Sequence, residues 1–347
     1  MSAVTRRVVL SGAGAMALGG LLAACGSKED APPAVPSGPE LESPTPAVTG
    51  DQMSAYLGDI HDALKAADED RKAGELAPRV TGSAASFRKA TYAIIDKDKG
   101  WAKKALTRPG QKAVVPITST SEDFPRTALA LVEADGSSDA APYFMILQQK
   151  DAKSPYSTWG WAQQVAGIDM PTVPSAQVGS AAVTADEKDL LVTPKEALEL
   201  YAAVLSSGDK KDRKHQLADD PFKQTTFEQI WKERRELNKG VDKDEIGTIH
   251  EEYTPVKGEV GGLRTDDGGA IVLGTLTSTR KLSINEGSKV SYGEDNIYTT
   301  IIGARTFTKE YSRDYGTTVA LYIPPKGSEK KIQPIGATRA VLDARGE

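Results

Sequence analysis

The chain has 347 residues, 39% hydrophobic and 26% charged, with a formal net charge of −5 and a pI near 5.5. So mild an acidic balance gives the whole chain no attraction for nucleic acid or anionic lipid, and the length suffices for two domains that each bury a core. A single cysteine excludes a disulfide framework and any cysteine-based zinc site within one chain.

Residues 1–25 fall into three zones: Arg6 and Arg7, an apolar run over residues 8–22, and small residues ahead of Cys25. This is the layout of an export signal. Gly12, Gly14, Gly19 and Gly20 break the run, which is too short and too glycine-rich for a spanning helix. No strand precedes residues 11–14 and no lysine follows, so they are not a phosphate loop.

Leu22-Ala23-Ala24-Cys25 resembles the lipobox of bacterial lipoproteins. The resemblance implies that residues 1–24 are a signal peptide and that Cys25 becomes the first residue of the mature chain. Its sulfur would carry diacylglycerol, with further acylation by chains such as palmitate. Thr5-Arg6-Arg7-Val8-Val9-Leu10 resembles a twin-arginine export signal, although the general secretory route also tolerates an arginine pair. Each buried CH₂ of an acyl chain contributes ~0.8 kcal/mol, so several chains hold a soluble body firmly. The expected address is the extracytoplasmic face of the cell membrane, through the lipid at Cys25.

Residues 25–48 contain Pro32, Pro33, Pro36, Pro39, Pro44 and Pro46 and almost no bulky apolar side chains. Such a segment cannot offset the entropy of ordering and reads as a tether. In the polyproline form it could span roughly 70 Å.

Two helix starts follow. Thr49 with Gln52, and Thr193 with Glu196, match the capping box, and Pro194 occupies the first helical position. Met53, Leu57, Ile60, Leu64 and Ala67 then share one helical face, with Gly74 as the expected stop; Ala197, Leu198, Tyr201, Val204 and Leu205 do the same up to Gly208. Second helical patterns run through Phe87, Ala90 and Ile94, and through Phe227, Ile230, Trp231 and Leu237. Extended patterns come next, over 113–118, 126–133, 143–149 and 157–165 in the first unit. In the second they cover 245–256, 269–280, 297–307, 315–323 and 332–342, with Asp266-Asp267-Gly268-Gly269 as a tight hairpin turn. The fold class is therefore α+β. Two domains are expected, 49–170 and 193–347, each with N-terminal helices packed on a curved antiparallel sheet and joined by a linker over 171–192.

The order helix, helix, meander resembles the nuclear-transport-factor-like and cystatin-like folds. Phe124-Pro125-Arg126, Asp266-Asp267-Gly268-Gly269-Ala270 and Ile323-Pro324-Pro325-Lys326-Gly327 also resemble segments of uncharacterised two-domain lipoproteins of actinobacteria. These likenesses imply fold and address and carry no catalytic residues.

Residues suited to chemistry are few. His61, His215 and His250 lie far apart in sequence, without the spacing of zinc ligands. His61 flanks the apolar stripe beside Asp62 and reads as a partly exposed boundary residue; His250, opposite in face to Ile249, is expected to meet solvent. Asp242, Asp244 and Gly247 match positions of a calcium loop, but Ile246 and Tyr253 stand where oxygen ligands are required. Ser86 and Lys89 have the Ser-x-x-Lys spacing without the companion triplets of penicillin-binding enzymes. No metal or cofactor is expected.

The densest aromatic cluster is Tyr156, Trp159 and Trp161. On a regular strand the two tryptophans share a face, which serves as core or, if exposed, as a stacking platform. With His61, this cluster is the candidate ligand pocket. The functional expectation is a membrane-anchored module of the cell envelope that binds a small apolar ligand or an envelope protein, or scaffolds one, with no nucleic acid partner. The alternative is an envelope hydrolase with its active site in a pocket between sheet and helix.

Overall fold

Both capping boxes are formed. In the first, Thr49 Oγ1 accepts from the Gln52 amide while Gln52 Oε1 accepts from the Thr49 amide at 2.9 Å, which opens α1 (Gly50–Asp70). Met53, Leu57, Ile60, Leu64 and Ala67 are all buried along its inner face. The helix stops at Arg71, in the left-handed region at φ 53°, whose amide closes onto Ala67; Gly74 falls in the turn beyond. The computed structural model describes residues 45–347 apart from Glu122 and Ser138. The signal and lipidation residues Arg6, Arg7, Leu22, Ala23, Ala24 and Cys25, and the proline-rich segment through residue 44, lie outside the described residues.

After α1 come α2 (Gly82–Lys97) and the short α3 (Ala102–Ala105). A four-stranded antiparallel meander follows in chain order: β1 (Pro109–Ile117), β2 (Arg126–Ala134), β3 (Tyr143–Gln149) and β4 (Ser157–Gln163). Strand alternation gives this sheet two apolar faces. Ala128, Ala130, Val132, Tyr143, Met145 and Leu147 pack under α1. Leu129, Phe144 and Ile146 point the other way.

The chain continues through 171–181 into β5 (Ala182–Val183), then α4 (Pro194–Ser207) and α5 (Pro221–Leu237). The remaining elements are β6 (Gly247–Arg264), β7 (Ala270–Ile284), β8 (Val290–Ser291), α6 (Ile297–Ile302), β9 (Thr306–Phe307), β10 (Glu310–Ile323) and β11 (Gln333–Gly346). The second sheet is antiparallel in the order β11-β10-β7-β6-β5. Its β6–β7 hairpin turns where expected, with Gly268 at φ 81°. α4 covers one face, against Val272, Leu276, Val319, Leu321 and Ile323. The opposite face carries Leu263, Ile271, Leu273, Ala320, Tyr322 and Ile335, which join Leu129, Phe144 and Ile146 in one core.

The layers therefore run helix, sheet, sheet, helix, an α+β arrangement with a shared middle. The two helix-and-sheet units are halves of one compact body. The connection between them is built in: β5 pairs with β6, and Ser180 bridges to Thr118 and Thr120 at 2.8 and 3.0 Å.

One local reading of the sequence is corrected. Residues 297–307 hold a helix and only a two-residue strand. Their β-branched side chains favour an extended chain, but Asn296 Oδ1 accepts from the amides of Tyr298 and Thr299 and so nucleates a turn of helix. The apolar side chains of α5 divide: Ile230 and Leu237 pack half-buried against the core around Ile249, Leu282 and Phe307, while Trp231 is 61% exposed.

One close approach ties α2 to the second sheet. A Cβ on Gly316 of β10 would overlap the ring of Phe87. Gly316→Val should lower stability by about 1–3 kcal/mol through this overpacking. In a urea-denaturation cycle, Phe87→Ala in the same chain should restore most of the loss; a cycle that simply adds would show that the two positions do not meet.

Candidate functional site

Strand register builds the site. Across three neighbouring strands Glu251 of β6 stands opposite Arg280 of β7, and Arg280 opposite Arg313 of β10. Alternation places these side chains on one face, where two arginines side by side would repel. α5 crosses that face and supplies the bridge: Glu233 Oε1 accepts from Arg280 Nη1 at 2.8 Å, and its Oε2 accepts from Arg313 Nη2. Beneath, Glu251 accepts from Arg280 Nε at 2.7 Å, from Ser278 Oγ at 2.7 Å, and from Arg339 of β11.

The network is buried. The Glu251 side chain is 0% exposed and that of Arg280 3%. Burial pushes the Glu251 carboxyl upward, but Arg339 and Arg280 outweigh it and hold the group below its ordinary range. Arg280 and Arg313 remain firmly charged; burial opposes them, and the acidic and phenolic neighbours more than offset it.

Aromatic rings enclose the cations. The Arg339 guanidinium lies 3.6 Å above the Tyr315 ring, and that of Arg313 lies 5.2 Å from both Tyr298 and Tyr311. The Tyr315 hydroxyl donates to that of Tyr298 at 3.0 Å, and burial raises the Tyr298 hydroxyl well above its ordinary range.

Arg280, Arg313 and Arg339 line a cavity of about 430 Å³ where α2, α3, α5 and α6 meet β10 and β11. Phe87, Trp101 and Trp161 give it an apolar wall. Arg88, from α2, also reaches it; its guanidinium sits 5.5 Å from the Trp161 ring and donates to the carbonyls of Ala105 and Thr107. A second cavity of about 410 Å³ lies between the end of α4 and α5, beside Phe227, Trp231 and His250.

Of the four residues expected to form a ligand pocket, Tyr156, Trp159, Trp161 and His61, Trp161 alone lines the first cavity. Trp159 does not share its face. Ile146 pairs with Gly160 and Gln148 with Ser157, so Thr158 and Trp159 of β4 answer Leu147 alone of β3, and this bulge turns Trp159 into the inter-sheet core. Tyr156 is buried under α1, stacked on Tyr56 at 4.7 Å. His61 is buried rather than at a boundary, with Nδ1 3.4 Å from the Pro109 carbonyl and Nε2 3.9 Å from Asp135. His250 is exposed, as its alternation with Ile249 implies.

The other candidates are taken up by local contacts. Asp244 pairs with Arg234 at 2.6 Å, and Ser86 Oγ donates to the Gly82 carbonyl at 3.1 Å. Among the described residues no group of His, Cys, Asp and Glu could hold a metal ion, and no helix is long and apolar enough to cross a membrane.

The arginines are the residues that sequence reasoning missed. A signal was available: Leu276, Ser278, Arg280 and Leu282 alternate on one face, so an arginine is set between core leucines. Chemically, the site presents fixed guanidinium donors beside aromatic surface, which suits recognition of an anion. It offers little for acid–base work, since each of its carboxylates is clamped by two arginines.

No curated protein and no solved structure matches the chain. Residues 44–346 match the family described as a domain of unknown function (DUF8094), and the chain belongs to that family.

Proposed function

We propose that the chain is a ligand-binding protein of the cell envelope. In this reading it is moored to the extracytoplasmic face of the membrane through lipid on Cys25 and receives a small molecule in the cavity beside Arg280, Arg313 and Arg339. The observation that carries the binding role is that cavity. Its volume of about 430 Å³ is that of a small-molecule site, and its walls combine aromatic surface with a few convergent polar groups. The mooring is supported by the lipobox-like Leu22-Ala23-Ala24-Cys25 and the proline-rich spacer behind it. The likeness to bacterial lipoproteins, and of each half to nuclear-transport-factor-like or cystatin-like folds, belongs to the same reading. Clamped carboxylates favour binding over hydrolysis.

Two measurements test the two parts. Cys25→Ala should move the protein from the membrane pellet to the soluble fraction and abolish labelling by a fatty-acid probe; a variant that sediments with membranes as before overturns the mooring. For the cavity, a small-molecule library should contain compounds that raise the Tm of the full chain and fail to do so for Ala105→Trp, which fills the site. Compounds that stabilise both chains equally would overturn the assignment of the cavity.

A further inference from the structure

Taking the cavity as the binding site, we infer that its ligand is a monocarboxylate with an apolar body. Charge balance is the first argument. Arg280, Arg313 and Arg339 are countered by Glu233 and Glu251 alone, and Lys104 also lines the cavity, so positive charge is in excess along its wall. The neighbouring group is self-balanced: Arg88 and Arg108 face Asp68 and Asp135. Each guanidinium has a carboxylate partner, but the carboxylates are shared, and a bound anion would offset the remaining positive charge.

The arginines themselves come next. Arg280, Arg313 and Arg339 line the cavity; Arg280 Nη2, Arg313 Nε and Arg339 Nε are covered and have no hydrogen-bond partner among the described residues, while 17% of the Arg339 side chain and 7% of that of Arg313 stay accessible. Guanidinium N–H groups match the two oxygens of a carboxylate. The apolar wall and the nearby carboxylates of Glu233 and Glu251 favour a monoanion, because a phosphate dianion would bring a second negative charge toward them. The wall of Phe87, Trp101 and Trp161 accommodates an apolar body.

The test is isothermal titration of the full-length Cys25→Ala chain with 4-phenylbutyrate, its neutral counterpart 4-phenylbutan-1-ol, and inorganic phosphate. Phenylbutyrate should bind at least about tenfold more tightly than either comparator, a difference of about 1.4 kcal/mol. Glu233→Gln, which removes a counter-charge one-third exposed, should tighten phenylbutyrate about fivefold. Arg313→Met should weaken it about tenfold and leave the alcohol within about twofold. If Arg313→Met fails to fold, judged by circular dichroism, the Glu233→Gln result decides alone. Equal affinity for acid and alcohol overturns this inference while leaving the cavity as a binding site. Preference for phosphate, or no tightening in Glu233→Gln, also overturns it. Binding of neither phenyl compound at millimolar concentration overturns it together with the ligand class, and the library screen against Ala105→Trp then stands as the separate test of the cavity.

Discussion

Glu251→Ala is expected to lower the unfolding free energy by about 3–5 kcal/mol, because it strands two buried arginines without their shared counter-charge. Arg280 donates to Glu251 at 2.7 Å and Arg339 donates to its other oxygen, so neither guanidinium can turn elsewhere without losing burial. In urea, the midpoint should fall with little change in slope. The pH dependence gives a second readout. The folded carboxyl sits below its ordinary value of 4.5, so its contribution is complete above that pH and is lost as pH falls through the lower folded value. The stability gap between wild type and Glu251→Ala should therefore be widest at neutral pH and narrow in acid. A gap that stays constant from neutral pH into strong acid would show that the carboxylate does not hold the cluster.

Asp68→Ala should cost a similar about 3–5 kcal/mol, by the same physics in the other half of the molecule. Asp68 is buried at the end of α1; it accepts from the Tyr92 hydroxyl at 2.8 Å and from Arg108 at 2.9 Å, with Arg88 Nε 3.6 Å away. Burial draws the Arg88 guanidinium below its ordinary range, and Asp68 is the first group opposing that. Removing the carboxylate leaves Arg88 held to the carbonyls of Ala105 and Thr107 with no charge to meet its own. Adding Arg88→Met should recover a large part of the loss, which a double-mutant cycle in urea measures as coupling. Strictly additive losses would place the two residues in separate networks.

The legible part of the fold was the part encoded locally. Thr49-x-x-Gln52 and Thr193-Pro194-x-Glu196 marked two helix starts, because a cap is a contact between residues three apart. Arg126–Ala134 and Tyr143–Gln149 stood out as strands through continuous apolar runs, which a sheet buried on both faces requires. Asn296 was a cap hidden by the β-branched residues after it. The bulge in β4 depends on what β3 places opposite, and nothing in Ser157–Gln163 announces it. The site was illegible for the same reason. Glu251, Arg280, Arg313 and Arg339 lie on four strands, and Glu233 on a helix; only register brings them together. An aromatic cluster close in sequence drew attention to Trp159 and Tyr156, whereas the cavity is assembled from residues far apart along the chain.

The shared middle core sets an order of assembly. Leu129, Phe144 and Ile146 are complete on their own sheet early in the chain, yet their cover includes Ile335 on the last strand. As the polypeptide leaves the ribosome, that apolar face stays wet until β10 and β11 have been made. Contacts of such long sequence separation slow folding and leave a sticky surface in the interval. The first half is thus bound to wait for the second, and a growing chain must be kept from self-association until its final strand arrives.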